Sequence, residues 1–354
     1  MSLIKITNLS YNIGKKNILK NINFESQEGG ITCILGPSGC GKTTLLKLIS
    51  GLNKVQEGKI YLKDEIISSP TIHKETEKRN IGFLFQEYAL FPHLTVEENL
   101  NFALKNQEDQ KKIISDILKI VKLSDSKRKY PHELSGGEQQ RTALARSIIA
   151  QPDLLLLDEP FSSLDLNLRE EVRDDTLHLL QRFNISAIVV THDPFEAMFM
   201  SNIIYIMDKE GNIVQSGEPK DLYTKPVNPY VAEFFGETNT FRGIVKNSKV
   251  KTPIGSVQAR KFEENEEVEI HIRPQGIKLK EDQTPVNGIK GTVMASKLIG
   301  SFSLVHLSVL DNNNNVVHIH SQMPANFLPK EATAVEINID QEQIFIFPKP
   351  NYLF

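Results

Sequence analysis

Apolar runs and helix-like stretches alternate through the first two thirds of the chain. ITCILGPSGCGKTTLLKLIS (31–50) is an apolar strand, then a glycine turn, then a helix with Leu45, Leu46 and Ile49 on one face. DLLLLDEP (153–160) and ISAIVVTHD (185–193) are further apolar strands, separated by a helical stretch at 167–182. Because strands that are apolar throughout are buried on both faces, the alternation predicts a parallel sheet covered by helices.

The stretch ahead of DLLLLDEP has a different period. Through residues 86–132 apolar positions recur three and four residues apart, which indicates helices that pack by one face. The clearest set is Ile113, Ile114, Ile117, Leu118 and Val121. We therefore expect mainly helical structure in this part of the chain.

Beyond about Thr238 the helical period disappears. Short alternating strands follow, in EVEIHIRP (267–274), SLVHLSVL (303–310), VVHIH (316–320), TAVEINI (333–339) and IFIFP (344–348), with DNNNN (311–315) as a turn-rich connection. This pattern predicts a small β-barrel or sandwich. The length of the chain supports a second domain with its own core, because 354 residues are many for a single domain.

Composition excludes some classes of protein. The formal charge is −3, from 41 Lys and Arg against 44 Asp and Glu, so the chain has no overall positive charge that would attract nucleic acid or an anionic membrane. Any polyanion must therefore bind at a local site. The chain has two cysteines, Cys33 and Cys40, which is typical of a protein that has no disulfide framework and works in a reducing compartment. The first residues lack the apolar run of a signal peptide, and no run of eighteen uncharged apolar residues occurs. We expect a soluble cytoplasmic chain that serves a membrane only through a partner.

The glycine turn after the first strand carries the first chemical motif. Residues 36–43, here called the phosphate loop, fit G-x-x-x-x-G-K-[ST] at every position between a strand and a helix, which disfavours a mere connecting turn. Its backbone N–H groups and the helix N-terminus attract phosphates, Lys42 reaches the outer phosphates, and the Thr43 hydroxyl is placed to ligate Mg²⁺. One copy occurs, so we expect one nucleotide site per chain. The predicted nucleotide-binding residues are Gly36, Pro37, Ser38, Gly39, Cys40, Gly41, Lys42, Thr43 and Thr44.

Polar side chains end two of the other apolar strands. Asp158 is predicted to hold Mg²⁺ or its water, and Glu159 to act as base for an attacking water. Acidic residues also end strands simply because they face solvent, but the phosphate loop elsewhere in the chain favours the catalytic interpretation. His192 could meet the γ-phosphate or be structural, and Gln86, at another strand end, could simply be solvated.

Taken in order, GPSGCGKTT, Gln86, LSGGEQQR (134–141), LLLLDEP, SSLD (162–165) and THD (191–193) resemble the motifs of the ATP-binding-cassette (ABC) ATPases, over roughly residues 1–236. The resemblance implies an α/β fold, a P-loop NTPase with a RecA-like core and a helical subdomain at about 87–150. It implies Gln86 as a further ligand of the nucleotide-bound Mg²⁺ and His192 as a catalytic residue beside Lys42 and Glu159.

The second glycine pair, in LSGGEQQR, has two interpretations. The resemblance implies a head-to-tail homodimer in which this segment closes over ATP held by the other chain, through Ser135, Gly136, Gly137 and Gln139. From the residues alone, Ser135 and Glu138 form a capping box at a helix start. Both interpretations can hold together.

Further segments narrow the resemblance. EYALFPHLTVEENL (87–100) and KYPHELSGGEQQRTALARSI (129–148) look like importer ATPases for ferric iron, polyamines, sulfate and sugars. GEPKDLYTKPVNPYVAEFFGETN (217–239) resembles the lead into a C-terminal TOBE-type domain, an OB-like all-β barrel expected at 237–354. One departure concerns adenine stacking: Ile13 stands where the family usually has an aromatic residue, and Tyr11 lies two residues earlier.

Two classes of function follow from the resemblance. The favoured one is the motor of an importer, peripheral at the cytoplasmic face of the membrane, with integral permease subunits and a substrate-binding protein. A soluble ABC ATPase acting on nucleic acid is disfavoured because residues from Thr240 onward carry 13 Lys and Arg against 12 Asp and Glu, with no basic stripe. An ABC protein that binds ATP without hydrolysing it is disfavoured, because the residues expected for hydrolysis are all present, namely Lys42, Asp158, Glu159 and His192.

The cargo is predicted by analogy alone. The tail, from HIRPQGIKL (271–279) to IFIFP, looks most like the ferric-ion importer ATPases, with polyamine importers next. It offers no His or Cys cluster with ligand spacing, and His318 and His320 fit a strand face. We therefore expect no contact between these residues and the ion.

Overall fold

The computed structural model describes residues 2–104, 109–281, 289–311 and 313–349. The chain forms two compact units, Met1–Pro219 and Lys220–Phe354. The domain boundary expected near residue 236 stays a prediction. Among the described residues, no helix is both long enough and apolar enough to cross a membrane.

The first unit, in its described part, is built from ten strands and six α-helices, with three short 3-10 helices between them. The strands are β1 (Ser2–Ile13), β2 (Lys16–Gln27), β3 (Ile31–Leu35), β4 (Glu57–Leu62), β5 (Glu65–Ser68), β6 (Ile81–Leu84), β7 (Leu154–Asp158), β8 (Ser186–Thr191), β9 (Ile203–Met207) and β10 (Ile213–Gly217). The helices are α1 (Lys42–Ser50), α2 (Val96–Ala103), α3 (Gln110–Ile120), α4 (Gly136–Ile149), α5 (Leu166–Arg182) and α6 (Pro194–Met200).

The central sheet of this unit has six strands in the order β10-β9-β3-β8-β7-β6. Its pairs are parallel except β9 with β10, and every residue of β3, β7 and β8 is buried, as the apolar runs predict. The register places Leu35 beside Thr191 and Asp158 beside Val190. The three segments that follow β3, β7 and β8 therefore begin at one edge of the sheet, where ligands bind in open α/β folds.

Two further layers complete the unit. An antiparallel sheet, β2-β1-β4-β5, shares one core with α1, through Leu9, Ile60 and Leu46. Helices α2, α3 and α4 contribute to a second core, for example through Leu100 and Leu118 of the first two helices. The predicted helical segment is thus present, and its residues 105–108 lie outside the described residues.

The second unit is nearly all β. After α7 (Pro219–Thr224) and α8 (Pro229–Phe234) come β11 (Asn239–Ile244), β12 (Lys249–Thr252), β13 (Gly255–Gln258), β14 (Glu267–Ile272), β15 (Ile277–Glu281), β16 (Ile289–Ile299), β17 (Phe302–Leu310), β18 (Val316–Pro324), β19 (Ala334–Ile339) and β20 (Ile344–Pro348). They form the sheets β11-β14-β20, β12-β13 and β15-β19-β16-β17-β18 around a main apolar core. The predicted fold class, an α/β P-loop unit followed by an all-β unit, is confirmed.

Candidate functional site

The phosphate loop connects β3 to α1. The Gly36 N–H donates to the carbonyl of Thr191 at 3.3 Å, and a Cβ at Gly36 would lie 2.9 Å from both Cys40 Sγ and the Met207 carbonyl. Helix α1 begins after Gly41, which has a φ of 108° and forms no side-chain cap. The first N–H groups of α1 therefore remain available to an anion.

The other loop residues differ in exposure. Ser38 and Gly39 are exposed, Cys40 is buried, and Pro37, Thr43 and Thr44 are half-buried. No atom lies within 4 Å of a Cβ built on Gly39, so the top of the loop is open. Burial raises the pKa of the Cys40 thiol, which keeps it neutral beside a bound phosphate.

Lys42 is buried beneath this loop, with a side chain that is 4% exposed. Its Nζ donates to the carbonyls of Gly36 at 2.8 Å and Pro37 at 3.0 Å, and lies 3.6 Å from Glu159 Oε1. A buried ammonium group needs such partners. These contacts hold Lys42 inside the loop that is predicted to enclose the phosphates.

Thr43 and Asp158 supply a pair of oxygen ligands. The Thr43 hydroxyl donates to Asp158 Oδ1 at 2.9 Å. Burial raises the pKa of the Asp158 carboxyl, and the hydrogen bond from Thr43 partly opposes that shift. A hydroxyl beside a carboxylate suits Mg²⁺, which binds through one or two protein oxygens and substrate phosphates. Among the described residues, no group of three or more His, Cys, Asp and Glu side chains is placed to hold a metal ion by itself. The predicted Mg²⁺ site therefore also needs oxygens of the substrate phosphates.

Glu159 and His192 meet at the ends of β7 and β8. Glu159 has a φ of 42°, and its N–H donates to the carbonyl of Val190 at 3.0 Å. Its Oε2 lies 3.1 Å from His192 Nδ1, while Oε1 faces Lys42. The structure thus brings together all three residues that were predicted to be catalytic.

Gln86 lies at the margin of this group. Its Nε2 is 3.5 Å from Ser162 Oγ, and that hydroxyl donates to the Glu159 carbonyl at 2.9 Å. Close by, the hydroxyls of Tyr88 and Ser163 are 2.6 Å apart. Sequence reasoning did not single out this second pair. The only signal was their position, since Ser163 is part of SSLD and Tyr88 comes two residues after Gln86.

The backbone next to Gln86 is strained. Tyr88 and Ala89 have positive φ values, 60° and 46°, although neither is glycine. Arg146 of α4 stabilises this turn by donating to the Ala89 carbonyl at 2.8 Å and to the Tyr88 carbonyl at 3.2 Å. Its guanidinium also lies over the Phe91 ring, 5.3 Å from the centroid.

The second glycine pair begins α4. Ser135 Oγ accepts a hydrogen bond from the Glu138 N–H at 3.3 Å, and Glu138 Oε2 accepts one from the Ser135 N–H at 2.9 Å. The capping-box interpretation is therefore confirmed. Gly137 is buried against Leu168, and Gly136 and Ser135 are exposed. The Gln139 amide donates to two backbone carbonyls that lie just ahead of α4 in the sequence. The role across a dimer stays a prediction.

The region expected to contact adenine lies at the end of β1. Ile13 is 56% exposed, whereas Tyr11 is half-buried and packs against the core of the first unit. Tyr11 therefore has less freedom to stack on a base. Contact of either residue with adenine stays a prediction.

Comparison with known proteins agrees with this geometry. Residues 19–162 match a family profile described as ABC transporter, and residues 270–347 match the TOBE domain. The chain is 36% identical, over 97% of its length and 93% of the relative's, to the Fe(3+) ions import ATP-binding protein of Fusobacterium nucleatum subsp. nucleatum. It is 35% identical, over 99% of each chain, to the spermidine/putrescine import ATP-binding protein of Clostridioides difficile.

This chain belongs to the ABC transporter family. Among solved structures, it resembles a dimeric ATP-binding cassette in a post-hydrolysis state bound to ADP and Pi, with a TM-score of 0.54 and 32% identity over 61% of this chain and 99% of that one. It also resembles cbiO1 of Clostridium perfringens, with a TM-score of 0.57 and 28% identity over 63% and 91% of the two chains. The predicted resemblance is confirmed, and the protein is an ABC ATPase with a TOBE domain.

Proposed function

We propose that this ABC ATPase energises an importer and that Glu159 is its general base. The convergence of Lys42, at the start of α1, with Glu159 and His192, which follow β7 and β8, carries the proposal. Glu159 points one carboxylate oxygen at the buried Lys42 and the other at His192, so its orientation is fixed from both sides. A base that is held in place before the substrate arrives loses little entropy during the reaction.

In this reaction Glu159 accepts a proton from water while the water oxygen attacks the γ-phosphorus. The bond from the γ-phosphorus to the bridging oxygen breaks, and ADP and phosphate result. Lys42 neutralises charge on the outer phosphates, for which it exchanges its present bonds to the loop carbonyls. His192 holds the carboxylate of Glu159 and, with nucleotide bound, donates to the γ-phosphate.

Thr43 and Asp158 would hold Mg²⁺, with Gln86 as the third residue near it. The ion supplies positive charge that stabilises the phosphate oxygens as negative charge develops. The hydrogen bond between the Thr43 hydroxyl and Asp158 Oδ1 supports this assignment, because it places two oxygen ligands side by side.

We further propose that two copies act head to tail, each placing residues 134–141 over the other's ATP. The exposed Ser135 and Gly136 at the N-terminus of α4 support this arrangement, as does the dimeric cassette that the chain resembles. Such a dimer would work at the cytoplasmic face of the membrane, against permease subunits and, through them, a substrate-binding protein.

Mixing two inactive variants tests the head-to-tail arrangement. Ser135→Arg damages the segment given to the partner, whereas Lys42→Ala damages the chain's own phosphate loop. We expect each variant alone to be inactive and their mixture to regain ATPase activity, because one composite site in a heterodimer is intact. Heterodimers that form, shown by two affinity tags, without any regained activity would argue either that turnover requires both composite sites or that residues 134–141 do not act across the dimer.

Ferric iron is the cargo that we propose. Polyamines are the first alternative, and sulfate or sugars are less favoured. The support is the relative from Fusobacterium nucleatum, which matches in both units. In vesicles with its permease, we expect the ATPase rate to rise when a binding protein loaded with Fe³⁺ is added. Stimulation by a putrescine-loaded protein, and none by the iron-loaded one, would contradict the iron assignment and favour the alternative.

A further inference from the structure

Strand β20 forms an open edge in the second unit. It is the last strand of the sheet β11-β14-β20 and pairs antiparallel with β14 alone. At the ends of this ladder, Arg273 N–H donates to the Gln343 carbonyl at 3.2 Å and Lys349 N–H donates to the Glu267 carbonyl at 3.1 Å. Hydrogen-bonded pairs alternate along an antiparallel ladder, so the backbone of Ile344 and Ile346 faces away from β14.

These outward groups have no partner within the described part of the chain. No hydrogen bond there involves the N–H or C=O of Ile344 or Ile346 on the open side. Each residue thus offers one donor and one acceptor at strand spacing. Pro348, the next outward position, has no N–H and limits any added strand to a few residues.

A cleft runs beside this edge, with a volume of about 780 Å³. One wall is β20 and the others are residues 224–226 and 258–262, all of them in the second unit. The turn after Ala259 is closed by its own hydrogen bond, Phe262 N–H to the Ala259 carbonyl at 3.1 Å. This turn therefore lies beside β20, and its backbone does not pair with that strand.

The charge around the cleft is positive. Lys225, Arg260 and Lys261 line it, and no Asp or Glu is among its described lining residues. Lys225 is partly neutralised by Asp221, at 2.9 Å. Arg260 and Lys261 are exposed and form no ion pair within the described residues, so most of the available charge is theirs.

We propose that this cleft binds an extended acidic segment of a partner protein, which adds to β20 as a fourth strand. The outward N–H and C=O groups of Ile344 and Ile346 bind its backbone, and Arg260 and Lys261 bind its carboxylates. A free polyanion would match the charge but not the alternating donors and acceptors. An acidic polypeptide matches both, and it does not depend on the proposed cargo.

The test uses the full chain and a defined probe, a fluorescein-labelled octapeptide of alternating Glu and Val with blocked ends. We expect saturable binding by fluorescence anisotropy and none of the matching Lys–Val peptide. Two further probes carry N-methyl groups on the Glu residues or on the Val residues. Because only alternate N–H groups of an added strand face β20, one of these should lose affinity about tenfold or more and the other should bind normally.

Protein variants test the basic side of the cleft. The double variant Arg260→Ala/Lys261→Ala should weaken binding about tenfold, as expected for two exposed ion pairs. The matched control Lys249→Ala/Lys251→Ala removes two exposed lysines of β12 and should leave binding unchanged.

Three outcomes would overturn the proposal. The first is no binding of the Glu–Val peptide at about 1 mM, the weak limit of specific recognition. The second is equal binding of both N-methylated probes together with competition by a single-stranded oligonucleotide, which would indicate a site for polyanions. The third is probe affinity that falls as the concentration of the chain rises, which would indicate that a second copy occupies the edge.

Discussion

Replacing Glu159 with Gln is expected to lower the ATPase rate by about 10²- to 10⁴-fold while ATP still binds. The amide keeps the shape of the side chain but cannot accept the proton of the attacking water. Lys42 and Thr43 remain in place, so the contacts with the phosphates are preserved. Single-turnover hydrolysis and equilibrium binding of labelled ATP, measured on the same preparation, separate the two quantities.

A matched control for this variant is Glu65→Gln. Glu65 lies on β5, has an exposed side chain and pairs with Lys74 at 2.9 Å, so the same chemical change occurs outside the site. We expect its rate to equal that of the unmodified protein. Ordinary turnover by Glu159→Gln, with the control equally active, would show that another group is the base.

Replacing Lys42 with Ala is expected to have its main effect on binding. Hydrogen bonds to a charged group contribute about 1.5–3 kcal/mol each, so losing the contact between Lys42 and the phosphates should weaken ATP binding by about ten- to a hundredfold. The turnover rate also falls, since Lys42 is expected to stabilise charge in the transition state. Isothermal titration with a non-hydrolysable ATP analogue measures the first effect alone.

The control here is Lys59→Ala, which removes an exposed lysine from β4. Its affinity for the analogue should be unchanged. Circular dichroism on both variants checks the fold, because removal of the buried Lys42 leaves the Gly36 carbonyl without its donor and takes one of two donors from the Pro37 carbonyl. A well-folded Lys42→Ala chain that binds the analogue normally would contradict the role of Lys42 at the phosphates.

The sequence predicts the part of the site that depends on strand order. A short run that is apolar almost throughout, such as Leu154–Asp158, is typical of a strand inside a sheet covered on both faces, and parallel strands in such a sheet end at one edge. Asp158 and Glu159 could therefore be assigned to that edge from their positions, whereas the catalytic role predicted for His192 came from the resemblance to the ABC ATPases. Local rules also predicted the cap at Ser135, since its partner Glu138 lies three residues away.

The contacts behind Gln86 could not be predicted in this way. Tyr88 and Ser163 are 75 residues apart, and nothing in their types requires them to meet. The positive φ of Tyr88 and Ala89 was equally hidden, because neither is a residue that favours it. Arg146 makes this conformation stable from a third segment. The open edge of β20 likewise depends on sheet order rather than on its own sequence.

The turn at residues 86–91 is hydrogen-bonded to two other segments of the first unit. Tyr88 is bonded to Ser163, four residues after Glu159, and Arg146 joins the same turn to the helix that begins after Ser135. If this turn changes conformation when the nucleotide binds, a protein that binds the turn and prefers one of its conformations shifts the same equilibrium. Thermodynamic reciprocity then requires that ATP change the affinity for that protein by the same factor. On that condition, binding of a protein at the turn and binding of ATP at the phosphate loop are two parts of one equilibrium.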